Sequence, residues 1–247
     1  MTQGHCAPHQ PDVYLRIAMT QTGPATSQIS ALTFEGTRPY TRSEVAADAV
    51  IHVLGVTAGV IGAGVLVTMS ALYGTGATLA ASIIYGTGLV AMLSFSAAYN
   101  MHPPGPRREF LRRLDHAAIF LMIAGTYTPL TTLHLSGAWA ITITSLVWAM
   151  AVTGITLKIA FPRRFERLSL AAYLAMGWMG VVAIEPLLAS LPMSTFVLIG
   201  VGGVLYSAGT AFHVWESLPF QNAIWHGFVL AAAVCHYAAV FIATPFR

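Results

Sequence analysis

Four short spacings in this chain put groups able to hold a proton, a water or a cation on single helix faces. Glu44, Asp48 and His52 step by four, Ser96 and Asn100 lie four apart, and so do Asn222 and His226. Asp115 and His116 stand together at the head of an apolar run. Residues four apart on an α-helix project from one face. Carboxylates, imidazoles, amides and a hydroxyl gathered in this way supply what a proton relay, an ordered-water cluster or an oxygen-rich cation site needs.

The elements carrying these groups live in lipid. Of the 247 residues, 56% are hydrophobic and 9% are charged, against roughly 25% charged in an ordinary soluble domain. So few charges cannot cover a water-facing surface. The apolar residues also come in runs near the ~20 that a helix needs to cross the hydrocarbon core. A soluble fold is excluded, and the small net charge of +3 gives no basis for nucleic-acid binding. Cys6 and Cys235 differ too much in surroundings to form a disulfide framework or a thiolate metal site.

The fold class expected is an all-α membrane protein, a bundle of seven transmembrane helices at about 46–69, 79–100, 115–134, 138–157, 168–189, 194–214 and 222–243. Residues 1–43 read as a polar, disordered arm without a secretory signal, and 44–247 as the transmembrane domain. Arg107, Arg108, Arg112 and Arg113 fall between spans two and three, and Lys158, Arg163, Arg164 and Arg167 between spans four and five. With seven spans these loops share one face, which the positive-inside rule makes cytoplasmic. The N-terminus is then inside and the C-terminus outside. Merging spans three and four would separate the two clusters.

In that topology Asp48, Asp115 and His226 lie in the cytoplasmic halves of their helices, with Ser96 and Asn100 at the cytoplasmic end of span two. One cytoplasm-facing polar pocket is therefore expected to gather Asp48, His52, Ser96, Asn100, Asp115, Asn222 and His226. Intramembrane ionisable groups are costly and mark function by default. The competing reading is interhelical hydrogen bonding, worth ~0.6–2 kcal/mol per contact. The run "GVTAGVIGAGVLV" reads as a close helix contact.

Three stretches, "LRRLDHAAIFLMIAGTYTP" (111–129), "YSAGTAFHVW" (206–215) and "IWHGFVLAAAVCHYAAV" (224–240), together with the Glu44/Asp48/His52/Gly55 opening, resemble the haemolysin III family. This is the bacterial branch of the seven-span family that includes the progestin and adiponectin receptors. The resemblance implies a zinc site near the cytoplasmic face, built from Ser-x-x-x-His on span two, Asp on span three and His-x-x-x-His on span seven. Three histidines hold the metal, and the Asp holds or activates a metal-bound water. Ser96, Asp115 and His226 match that pattern, whereas Asn100 and Asn222 stand at the other two ligand positions.

Neutral amides are poor zinc ligands. With His226 as the one matching ligand, no cofactor is expected, and the pocket is read as a water cluster or a weak hard-cation site. Three functions follow: ion- or proton-coupled membrane homeostasis; a non-catalytic sensor of a lipid or partner; and a zinc-dependent lipid amide hydrolase, with Ser96 and Asp115 as its catalytic candidates, weakened by the two missing histidines. The family's name carries a label of cytolysis, which no feature of this chain supports. The expected location is the bacterial inner membrane, and the expected partners are membrane lipids and a small ion or proton.

Overall fold

A computed structural model describes residues 40–246, and these are helical throughout, with no strand among them. The arm expected over 1–43 lies outside the described residues up to residue 39. Helix α1 spans Arg42–Tyr73, α2 Gly76–Asn100, α3 Pro106–Thr132 and α4 Gly137–Ala160. Then come α5 (Glu166–Gly177), a 3-10 stretch (Trp178–Ala183), α6 (Ile184–Ser190), α7 (Met193–His213) and α8 (Gln221–Ala243).

Six helical stretches are long and apolar enough to cross a membrane: α1, α2, α4, the continuous run Glu166–Ser190, α7 and α8. α3 falls outside this set. It begins at Pro106 rather than near 115, so its first turns are the charged sequence Arg107 to Arg113. Pro106 opens it because a proline at the first helical position sacrifices only an N–H that would be unpaired there anyway.

The packing is inside-out. On α1 the buried positions are Glu44, Asp48, His52, Gly55, Gly59, Ala63, Leu66 and Ser70, a stripe with helical spacing made of polar and small residues. The opposite face exposes Val50, Val53, Leu54, Val60 and Ile61. In water so large an apolar face would drive association. In hydrocarbon it is the solvated face, and these helices make the chain an integral membrane protein.

Helices associate by close approach and a few hydrogen bonds rather than by burying oil. A Cβ on Gly88 of α2 would sit 3.2 Å from Leu121 O and Met122 Cα, and one on Gly125 of α3 would sit 3.3 Å from Ile84 O. These two glycines let the α2 and α3 backbones touch. Ser70 and Ser82 join α1 to α2 at 2.7 Å, and Thr131 and Thr144 join α3 to α4 at 2.6 Å. Consecutive helices pack as neighbours, and α8 also packs on α1. The ends of the chain's helical part therefore meet.

The span expected over 168–189 is present as Glu166–Ser190, but its middle, Trp178–Ala183, is 3-10 rather than α-helical, and the reason is a tyrosine. Tyr127 of α3 donates its hydroxyl to Gly177 O at 3.0 Å and accepts from Gly180 N–H at 2.6 Å. A side chain inserted into the ladder in this way displaces the regular bonds, and the backbone tightens to 3-10. Pro186, lacking an N–H, stands in the first turn of α6, where that loss is tolerated.

Candidate functional site

The meeting of α1 and α8 buries a carboxylate between two imidazoles. Asp48 Oδ1 lies 2.6 Å from His226 Nδ1, and Asp48 Oδ2 lies 3.5 Å from His52 Nε2. The two imidazole rings face each other, with centroids 4.4 Å apart at an interplanar angle of 53°. All three residues are buried: Asp48 is 8% exposed, His52 6% and His226 8%. Helical spacing puts Asp48 and His52 on the inner face of α1, and α8 brings up His226 one turn into its length. His52 Nε2, buried as it is, has only that long contact to Asp48.

Asp115 of α3 and Ser96 of α2 form a pair of their own, linked to this cluster through the electrostatic interaction of Asp115 with His52. The half-buried Asp115 carboxylate has the Ser96 side chain as hydrogen-bond partner and interacts electrostatically with His52 and Arg112. Asn100 donates its Nδ2–H to Ser96 O, one turn back on its own helix, at 3.0 Å. Asn100 and Asn222 line a cavity of ≈ 170 Å³ whose walls also include Glu44 and Asp48. Asp48 thus belongs both to this cavity and to the imidazole pair.

The rim holds residues that a search for site chemistry passes over. Glu44 accepts from Phe220 N–H at 2.6 Å and from Thr41 N–H at 2.8 Å. It completes a capping box on α1 while holding the entrance to α8. Phe220 sits there in the left-handed region, at φ 59°. Tyr40 donates its hydroxyl to Gln221 Oε1 at 3.1 Å, and Gln221 donates its amide to His213 O at 2.8 Å. The signal available in the sequence was Thr41-x-x-Glu44, the capping-box spacing ahead of an apolar run.

The basic segments meet in one network. Arg112 bonds Glu109 at 3.0 Å and Glu166 at 2.8 Å, Lys158 bonds Glu166 at 2.9 Å, and Arg163 bonds Glu109 at 2.8 Å. The turn into α3 and the turn between α4 and α5 therefore lie together. Glu109 stands ahead of the apolar part of α3. Partial burial pushes its carboxyl up, but the donors from Arg163 and Arg112 outweigh that and hold it down at about 2.

The zinc implied by the resemblance does not fit the residues at its positions. Asn100 and Asn222 offer neutral amide groups, and the Asn100 amide is already turned back onto Ser96 O. Of that ligand set only His226 is an imidazole, too few for a site that normally takes three strong protein ligands.

The family profile described as "Haemolysin-III related" matches residues 41–237. "Hemolysin-3 homolog" of Bacillus subtilis (strain 168) is 36% identical over 201 residues, covering 81% of this chain and 94% of that protein. "Hemolysin-3" of Bacillus cereus is 38% identical over 204 residues, covering 82% and 93%. A more distant likeness reaches "Monocyte to macrophage differentiation factor" of Homo sapiens, 27% identical over 142 residues, 54% of this chain and 58% of that one. The matched region contains α1 through most of α8, and with it every residue of the buried cluster, so the chain belongs to the haemolysin III-related family of membrane proteins.

Proposed function

We propose that this chain is an ion-coupled membrane protein in which a small cation enters a cytoplasm-facing pocket and pairs with Asp48. The observation that carries the reading is the position of that carboxylate, buried between two helices and reached by the ≈ 170 Å³ cavity. A carboxylate inside a membrane domain is costly unless a positive partner offsets it. Its present neighbours are imidazoles, which are neutral unless protonated. A cation there gains a strong partner, and because Asp48 belongs to α1 and His226 to α8, occupancy changes how the first and last helices pack.

In this reading α3 is a seventh crossing, and the end of the bundle bearing the cavity is cytoplasmic. The meeting of the Arg112 and Arg163 segments in one ion-pair network supports it, since both then obey the positive-inside rule. The membrane is the bacterial inner membrane. Lipids cover the apolar outer faces, and ion occupancy serves membrane homeostasis.

The experiment is a comparison of purified chain and Asp48→Asn in liposomes carrying an internal ion indicator, with sodium, potassium, calcium and proton gradients applied in turn. One of these ions should move, or should raise the thermal midpoint, in the parent and not in the variant. If the parent and Asp48→Asn respond identically to every gradient, the reading fails.

A further inference from the structure

The same cluster has the composition of a transition-metal site. Asp48, His52 and His226 each offer one ligand atom, and these atoms lie within 4.8 Å of one another. Three ligands on one tetrahedral ion at ~2.1 Å stand about 3.4 Å apart. Asp48 Oδ2 and His52 Nε2 already stand at that spacing, 3.5 Å apart, whereas Asp48 Oδ1 and His226 Nδ1, at 2.6 Å, would exchange their hydrogen bond for bonds to the metal and open by just under an ångström. Two imidazoles and one carboxylate form a set that divalent first-row metals accept, with a further position left open.

A second feature suits a bound cation. His52 Nε2 is buried, with its residue 6% exposed, and its one polar neighbour is the Asp48 carboxylate at 3.5 Å, too long for a good hydrogen bond. Buried polar atoms are normally partnered. This one is 3.5 Å from Asp48 Oδ2 and in the same cluster as His226. A cation seated among the three would give that nitrogen its partner.

Charge supports the same conclusion. A dication bound by one carboxylate keeps one positive charge in the interior. Glu44 lies one turn before Asp48 on the buried face of α1, and Asp115 interacts electrostatically with His52. Glu44 also lines the cavity that reaches Asp48, and that cavity supplies the way in.

We infer that Asp48, His52 and His226 form a binding site for a divalent transition-metal ion between α1 and α8. The ligand set is not the one implied by the resemblance: two of its three members come from α1, and the two asparagines take no part. The inference rests on the proposal that the pocket takes a cation, and it names the class of cation.

The test uses the full chain purified in detergent, stripped by chelation and titrated with Co²⁺ alone, whose visible absorption reports coordination, and in parallel with Zn²⁺ followed by elemental analysis. Close to one ion per chain is expected. His52→Gln should weaken binding at least about tenfold, the loss typical even of an outer-shell partner, and should change the cobalt spectrum. His52→Gln keeps a polar side chain beside Asp48, and helical circular dichroism checks that the variant is folded. Asp48→Asn should act in the same direction.

Metal bound with the same affinity and spectrum in folded His52→Gln would overturn the inference, as would a folded parent that takes up no metal. If calcium, sodium or a proton acts through Asp48 while cobalt and zinc do not bind, this inference falls and the cation-pocket reading stands. If no cation acts through Asp48, both fall.

Discussion

The carboxylate of Asp48 and the imidazole of His226, 178 positions apart in the chain, meet at 2.6 Å and tie the first helix to the last. Hydrogen bonds involving a charged group contribute about 1.5–3 kcal/mol. Asp48→Ala should therefore lower stability in detergent by roughly that amount, and Asp48→Asn, which keeps an acceptor, by less. In a double-mutant cycle with His226→Gln the effects should be non-additive by about 0.5–3 kcal/mol. Strict additivity would mean that the contact contributes nothing.

Glu44 and Phe220 form the second tie between these helices, and it has a separable backbone component. Phe220→Gly should be neutral or stabilising in thermal unfolding, because φ 59° costs a residue with a Cβ about 1–2 kcal/mol and glycine almost nothing. Glu44→Ala should cost about 1 kcal/mol or more, since it removes a capping-box member and the acceptor for Phe220 N–H. A marked loss on Phe220→Gly would show that the ring, not the Glu44 bond, holds the turn.

Gly88 stands where two backbones touch, and Gly64 stands in open space. Gly88→Val should lower the thermal midpoint by the equivalent of about 1–3 kcal/mol through overpacking. Gly64→Ala should raise stability by roughly 0.5–1 kcal/mol as a helix former replaces glycine. Equal responses at the two sites would contradict the close α2–α3 approach.

Acid should weaken the Arg-rich end. The folded Glu109 carboxyl is held down at about 2, below the ordinary 4.5, so its contribution is present above about 4.5 and lost as pH falls through about 2. Between pH 5 and pH 2.5 the parent should therefore lose more stability than Glu109→Gln, which has no such contribution to lose. Parallel acid profiles would remove Glu109 from the network's energetics.

Topology can be read by impermeant thiol labelling after Cys6 and Cys235 are replaced by serine. Pro104→Cys and Arg164→Cys should react from one side, the cytoplasmic, and Ser136→Cys from the other. Labelling of 104 and 164 from opposite sides would remove both the seventh crossing and the cytoplasmic pocket.

Composition and run length alone determined that this is an all-helical membrane protein, because a chain with 9% charged residues has no other stable solvent. The helix starts were partly legible as well: Thr41-x-x-Glu44 and Pro106 are local signals, acting within one turn. The 3-10 stretch inside the fifth apolar run was not legible, since its cause is Tyr127, a residue on another helix that competes for the backbone groups of Gly177 and Gly180. The site divides in the same way. Spacing put Asp48 and His52 on one face of α1 and Asn222 and His226 on one face of α8, because helical periodicity is a property of neighbours in sequence. That Asp48 closes on His226, and that the His52 and His226 rings come together in the interior, depends on α8 packing against α1. Contacts across so long a sequence separation are set by which inner faces fit together, and only the tertiary structure decides that.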